Sequence, residues 1–200
     1  MAIIRNDQIE SFMKGGSSFF KLEDGQSARV RFLYNTINDI VYYAVHEFSG
    51  SNFATIECPR GSQDDPVDIC KWCAQGNKVV GRVVIPIFNE DTQEVQYWKR
   101  SLKWCEDSLK PILMKFTPGM PISGQPCEIV RKGKKMQDTT YTIMPVVGVA
   151  NDGRTKETFG EIKDPVEMQI IKPADFEFDP NANKDSNNPP QATRRTVDVF

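Results

Sequence analysis

The chain has 200 residues, of which 39% are hydrophobic and 26% are charged, and these fractions are typical of a globular protein with its own core. Its apolar runs are only a few residues long, which excludes a transmembrane helix, and the first seven residues lack a signal-peptide pattern. We therefore expect a cytoplasmic protein that does not contact membranes.

Charge is distributed unevenly along the chain, although the net charge is only −2. Residues 76–135 hold eleven Lys and Arg against six Asp and Glu, whereas residues 151–200 hold seven basic and ten acidic residues. A basic middle followed by an acidic end indicates a site for a polyanion and a solvated or regulatory tail.

The predicted elements are mostly strands, and they follow an N-terminal arm over residues 1–18. Period-two alternation of apolar side chains predicts strands over the ranges 28–34, 41–48, 79–88 and 94–104. Apolar residues at three- and four-residue spacing then predict one helix over 106–116, and a hairpin pairs 126–132 with 139–147. This order favours a mainly β domain over 19–150, a closed five-stranded OB-fold barrel, with a β-sandwich as the alternative.

The periodicity fades after residue 150. Residues 151–200 are polar and acidic with few aliphatic side chains, so we expect a largely disordered tail.

Residues 46–77 form the segment in which a metal site is expected, because they are rich in turn residues and too polar to bury a core. His46, the only histidine, is followed by three cysteines in the pattern His-x11-Cys-x11-Cys-x2-Cys, which gives the ligand set His46, Cys58, Cys70 and Cys73. A Cys-x2-Cys knuckle places two thiolates on one turn, where they can share a tetrahedral zinc ion. Four protein ligands leave no open position, so we predict one structural zinc.

Two alternatives stay open for these cysteines. Cys70 and Cys73 could be a redox pair or small residues without a metal, although the βαβ pattern of redox Cys-x-x-Cys motifs is absent. Cys105 and Cys127 have no partner motif and are expected to be buried free thiols, but either could replace His46 as the fourth ligand.

The order and spacing of these ligands resemble those of the zinc-containing single-stranded DNA-binding (helix-destabilising) proteins of T-even-type bacteriophages. The resemblance covers roughly residues 20–150 and includes the basic, aromatic stretch Tyr97-Trp98-Lys99-Arg100 through Trp104 and the helix after it. It implies a non-catalytic protein that coats single-stranded DNA in replication, recombination or repair, in the host bacterial cytoplasm. The basic self-association motif of that family has no counterpart in residues 1–18, which offer only Arg5 and Lys14.

Binding of single strands without sequence preference needs cations along the phosphates and aromatic faces for the bases. The strands and the last hairpin supply both kinds of side chain. The candidate DNA-binding residues are Arg29, Arg31, Tyr43, Arg82, Tyr97, Lys99, Arg100, Lys103, Arg131, Lys132, Lys134 and Lys135. For each member alone, a solvated cation or a core tyrosine is as good an interpretation, so the prediction concerns the group.

The chain ends in Val197-Asp198-Val199-Phe200, which resembles the C-terminal tips of bacterial and phage single-strand binders. The resemblance implies that Asp198 and Phe200 recruit replication or recombination proteins. An inert linker is the alternative.

We expect no enzymatic activity, because the one histidine is assigned to zinc and the chain lacks P-loop, Gly-x-Ser-x-Gly and deaminase patterns. Two alternatives to DNA binding remain. One is a zinc-stabilised protein-interaction module that does not bind nucleic acid. The other is a metal-dependent nuclease with Asp64, Asp65 and Asp68 as magnesium ligands.

Overall fold

The computed structural model describes residues 19–48, 53–117, 119–135 and 138–177. The fold is mainly β, and seven strands belong to one antiparallel sheet. The strands are β1 (Ser27–Phe32), β2 (Tyr42–Phe48), β3 (Ala54–Glu57), β4 (Val79–Asn89), β5 (Glu94–Ser101), β6 (Cys127–Lys132) and β7 (Thr140–Pro145). The pairings among these described strands do not close the sheet, so the expected barrel is not shown.

The number of strands exceeds the five that were expected, for two reasons. The short strand β3 lies within the turn-rich segment 46–77, where the sequence pattern predicts no strand. Its residues 54–56 are buried and alternate too briefly to be recognised. The predicted final hairpin forms both of its strands, β6 and β7, so the four other predicted strands and this hairpin already amount to six.

Two helices are present among the described residues outside the short 3-10 turns. Helix α1 is the single turn Lys71–Ala74, and helix α2 joins Leu102–Trp104, the π-helical segment Cys105–Leu109 and Lys110–Leu113. Helix α2 begins four residues earlier than the apolar pattern predicts, because the Ser101 hydroxyl accepts a hydrogen bond from the Trp104 amide at 3.2 Å. No helix in the described part of the chain is long and apolar enough to cross a membrane.

The chain divides into two compact units, of which the first comprises the described residues 19–43 and 81–167. Strand β1 pairs with both β4 and β6, β4 also pairs with β5, and β6 pairs with β7, all antiparallel. One face of these strands and helix α2 enclose the core of this unit. Its fully buried side chains include Phe32, Ile87, Leu109 and Ile129.

The second unit comprises the described residues 44–48, 53–80 and 168–177. Its framework is the antiparallel hairpin of β2 and β3, with Val45 opposite Glu57. Its core is small and consists of Phe48, Ala54, Ile56, Cys58, Cys70 and Trp72. Two of these six residues are predicted metal ligands, so the apolar side chains alone supply little burial.

Residues 151–177 lie in the predicted tail, yet the structure packs them against the two units. The Lys163 amide donates a hydrogen bond to the Tyr97 hydroxyl at 2.8 Å in the first unit. In the second unit, Lys172 forms a parallel bridge with Ile56, and Ile171 is fully buried. Isolated apolar residues in a polar segment are enough to dock it onto a sheet, although they give no periodic signal. The predicted arm 1–18 and the chain end with Asp198 and Phe200 lie outside the described residues.

Candidate metal centre and basic surface

The four predicted metal ligands come together on the elements of the second unit. His46 lies on β2 opposite Ile56 of β3, and Cys58 immediately follows β3. Cys70 is the N-cap residue of α1, and Cys73 lies within that single turn. The hairpin register therefore fixes the first two ligands relative to each other, and the helical turn fixes the other two.

The ligand atoms of the four side chains all lie within 4.8 Å of one another. Sγ of Cys58 and Cys73 are 3.7 Å apart, and His46 Nε2 lies 3.3 Å from Cys70 Sγ and 3.6 Å from Cys73 Sγ. Tetrahedral geometry with ordinary zinc bond lengths places two sulfur atoms about 3.8 Å apart and sulfur and nitrogen about 3.5 Å apart. The cluster is therefore close enough to hold one metal ion, and its dimensions fit zinc.

Neighbouring groups orient two of the ligands. His46 Nδ1 lies 3.2 Å from the carbonyl oxygen of Lys78, and a hydrogen bond donated from Nδ1 leaves Nε2 free to face the sulfur atoms. Arg60 Nη1 lies 3.6 Å from Cys73 Sγ. Such partners fix the tautomer of a histidine ligand and favour the thiolate form of a cysteine.

The pKa values of the ligands reflect these surroundings. Burial raises the pKa of Cys58 to about 11. Burial would also raise the pKa of Cys73, but hydrogen bonds with Arg60, Cys58 and Cys70 and the positive charge of Arg60 together outweigh burial and lower the pKa. Burial lowers the pKa of His46, which keeps the imidazole neutral, the form that binds metals.

The other predicted alternatives for the metal site are not part of this cluster. Cys105 and Cys127 are buried free thiols in the core of the first unit, as expected, and neither belongs to the cluster. Asp64 and Asp68 are exposed, and the Asp65 carboxylate accepts a hydrogen bond from the Ser62 amide at 2.7 Å. Among the described residues, the His46 cluster is the only group of three or more potential ligands.

Comparisons with family models, with curated proteins and with solved structures gave no match. Interpretation of the remaining candidate residues therefore depends on their own surroundings.

The structure separates the predicted DNA-binding residues by exposure. Arg29, Lys103, Lys132, Lys134 and Lys135 are exposed, whereas Tyr43, Arg82, Lys99, Arg100 and Arg131 are half-buried. Arg31 and Tyr97 are buried, with 4% and 3% of their surface exposed. The last three exposed lysines and Arg131 lie together on the hairpin of β6 and β7, while the other members are distributed over β1, β2, β4, β5 and α2.

Arg31 belongs to a buried ionic network rather than to the surface. Its guanidinium lies 2.6 Å from the Glu90 carboxylate and 3.0 Å from that of Asp152. It also donates to the Ser123 carbonyl oxygen at 3.1 Å and lies over the Phe159 ring. Strand alternation predicts an outward Arg31, but both faces of β1 are covered at this point, and the carboxylates neutralise the buried charge.

Arg100 lies in an aromatic cluster that the sequence does not reveal. Its Cζ is 4.0 Å from the ring centroid of Tyr141 and 4.2 Å from that of Trp98, and Trp104 is also adjacent. The alternation of β5 puts Trp98 and Arg100 on one face, and this is a signal that sequence analysis can use. Tyr141 lies on β7, so only the pairing of strands in the folded sheet brings it next to Arg100.

The first unit also contains a cleft with a volume of about 330 Å³. Its walls include Tyr43, Val84, Pro86 and Ile162, and Lys163 also lines it. The cleft therefore combines apolar and aromatic surface with a basic side chain.

Proposed function

We propose that this protein is a non-catalytic, largely sequence-independent single-stranded DNA-binding protein of the kind used in phage replication, recombination or repair. We propose further that a structural zinc ion binds to His46, Cys58, Cys70 and Cys73. The observation that carries the DNA proposal is the concentration of cations on the hairpin of β6 and β7, next to the aromatic cluster around Arg100.

The hairpin offers phosphate contacts that require little rearrangement. Lys132, Lys134 and Lys135 are exposed and follow Arg131 directly, so four cations lie within five consecutive positions. Exposed lysines gain phosphate contacts and release counterions on binding, which gives affinity without sequence preference. The structure leaves Arg31 and Tyr97 out of this surface, because both are buried and engaged with other groups.

Aromatic surface for the bases is available on the same unit. Tyr43 lines the cleft described above, together with Lys163. Stacking of a base on an aromatic side chain contributes about 1–3 kcal/mol and does not depend on base identity. Tyr43 is thus the preferred stacking residue of the predicted set.

The proposed zinc has a structural role. Four protein ligands occupy a tetrahedral ion completely, so no position remains for a reactive water. When bound, the ion supplies cross-links between β2, the end of β3 and α1. The chain's own contribution is to hold the four donor atoms within 4.8 Å of one another and to shield them by burial.

Fluorescence titration with oligo(dT) at two salt concentrations tests the DNA proposal. We expect tight, salt-sensitive binding that weakens when the metal is removed. The triple variant Lys132→Gln, Lys134→Gln, Lys135→Gln should lower the slope of log affinity against log salt by about 2, since each lost phosphate contact removes about 0.7. Lys115→Gln, an exposed lysine beyond α2, is the control. Absence of oligo(dT) binding by the metal-loaded protein would refute the proposal.

A zinc-stabilised protein-interaction module is the second candidate, and exposed apolar side chains on the second unit favour it. Val67 and Ile69 flank the metal ligands and are 55% and 51% exposed. Neighbouring apolar side chains at such exposure are typical of interaction surfaces. This function predicts no salt-sensitive affinity for oligo(dT), so the same titration separates the two candidates.

A further inference from the structure

Two arginines of the first unit, Arg100 and Arg131, carry positive charge that no described carboxylate neutralises. Each has a buried Nε atom without a hydrogen-bond partner. Both side chains are half-buried, so water does not solvate them fully. A buried guanidinium normally has an anionic partner, because loss of hydration is costly for a charge that stays unpaired.

Arg31 provides the contrast within the same unit. Its guanidinium is also buried, and it has two carboxylates and a carbonyl oxygen as partners. Arg131, in comparison, donates only to the carbonyl oxygen of Leu22. The pKa of the Glu23 carboxyl is lowered mainly by Lys21, with which Glu23 pairs at 2.8 Å, and to a smaller extent by Arg131, and the Glu23 side chain is 62% exposed. The chain therefore compensates one buried arginine completely and leaves two without a counter-charge among the described residues.

Arg100 and Arg131 are both neighbours of Tyr141. Arg131 and Tyr141 are opposite each other in the register of β6 and β7, which places both side chains on one face of the sheet. The Arg100 guanidinium lies over the Tyr141 ring at 4.0 Å. Burial lowers the pKa of Arg100, the interaction with Tyr141 opposes that shift, and the positive charge of Arg131 makes a smaller contribution in the same direction as burial. Both cations therefore lie next to the same tyrosine, and one anion bound by both would offset their like charges.

The aromatic rings also fix the orientation of the Arg100 side chain before a ligand binds. The rings of Trp98 and Tyr141 are both in van der Waals contact with the Arg100 guanidinium, and these contacts restrict its rotation. A planar guanidinium held in place presents two parallel N–H groups, and this fork matches the oxygens of a phosphate. Less entropy is lost on binding because the side chain is already ordered.

We propose that Arg100 and Arg131 together form a site for one phosphate group, which we assign to the backbone of single-stranded DNA. This assignment rests on the proposed function. The hairpin lysines continue from Arg131, so a strand whose phosphate occupies this site would run on along Lys132, Lys134 and Lys135. The site differs from these lysines in having buried donors that are already oriented.

Nuclear magnetic resonance of the arginine Nε–H groups tests the site directly. Protein labelled with ¹⁵N at arginine Nε is titrated with oligo(dT) and, separately, with inorganic pyrophosphate. The resonances are assigned with Arg100→Lys and Arg131→Lys. We expect both Nε–H resonances to shift and saturate with oligo(dT), while the Nε–H of Arg31 does not move. Saturation with pyrophosphate alone would show an anion site and overturn its assignment to DNA.

Affinity measurements supply the second readout. Arg100→Lys and Arg131→Lys keep the charge but lose the fork, so each should weaken oligo(dT) binding about tenfold with an unchanged salt slope. Arg131→Gln should also lower the slope by about 0.7. Lys115→Gln is the matched control and should change neither value. Oligo(dT) binding that leaves both Nε–H resonances unmoved would overturn the site and leave the proposed function intact, whereas absence of binding would remove both.

Discussion

Substitution of one proposed zinc ligand, compared with substitution of an equally buried thiol outside the cluster, tests the structural role of the metal. Cys70 is 2% exposed and Cys105 is 0% exposed, so Cys70→Ala and Cys105→Ala remove the same atom from similarly buried positions. Only Cys70→Ala removes a ligand, since its Sγ lies 3.3 Å from His46 Nε2. The difference between the two variants therefore isolates the contribution of metal binding.

The expected magnitudes differ clearly. Removal of a buried sulfur costs about 1–3 kcal/mol of unfolding free energy through lost burial and the cavity it leaves. Structural zinc sites contribute about 10–16 kcal/mol in small domains, so loss of one ligand of four should cost several kcal/mol more. Among the described residues, the buried cluster that contains Cys58 and Cys70 has three large apolar side chains, Phe48, Ile56 and Trp72, and this small cluster does not replace the metal. We expect the second unit to unfold in Cys70→Ala.

Metal content per chain, cobalt absorbance and thermal unfolding with and without a chelator measure this effect. The wild type and Cys105→Ala should bind one ion per chain, show the absorbance of tetrahedral thiolate-bound cobalt, and lose stability with chelator. Cys70→Ala should bind the ion at least about 100-fold more weakly. The reasoning is refuted if the chelator leaves wild-type unfolding unchanged, or if Cys70→Ala retains one ion at wild-type affinity.

Three further substitutions have defined outcomes. Arg60→Gln should weaken zinc binding about tenfold, measured by chelator competition, because the thiolate at 3.6 Å loses its cation; unchanged affinity would contradict this role. Arg31→Met should cost about 2–4 kcal/mol in denaturant unfolding, because it removes the buried contacts of this guanidinium with Glu90, Asp152 and the Ser123 carbonyl oxygen, even though Arg29 and Arg154 still pair with the two carboxylates. Exposed Arg29→Gln should cost less than about 1 kcal/mol, and equal losses would contradict the buried network. Burial would raise the pKa of Asp39, but hydrogen bonds from two backbone amides and the ion pair with Lys156 lower it below 3.8. The Asp39 carboxylate therefore contributes its full stabilisation above pH 3.8 and loses it as pH falls through the lower pKa of the folded state. The stability difference between wild type and Asp39→Asn should shrink over that range, and a difference that stays constant in acid would contradict this account.

The metal cluster could be predicted from the sequence because its information is local. Cys70 and Cys73 are three residues apart, so a single turn brings their sulfur atoms together whatever the rest of the fold does. The fold also brings His46 and Cys58 to them, so the four predicted ligands lie close enough together to hold one metal ion. Strands β1, β2, β4 and β5 were predictable for a similar reason, since period-two alternation follows from a sheet with one buried face.

Tertiary contacts decided the features for which the sequence gives no local signal. β3 forms because a four-residue segment pairs with β2. Residues 151–177 are ordered because isolated apolar side chains in them pack on other parts of the fold. The surroundings of the three buried or half-buried arginines show this most clearly. Composition gives Arg31, Arg100 and Arg131 the same charge, but only the folded chain brings two carboxylates to Arg31 and the Tyr141 ring to Arg100. The energy of a buried charge depends on what surrounds it in space, and those neighbours lie tens of residues away along the chain.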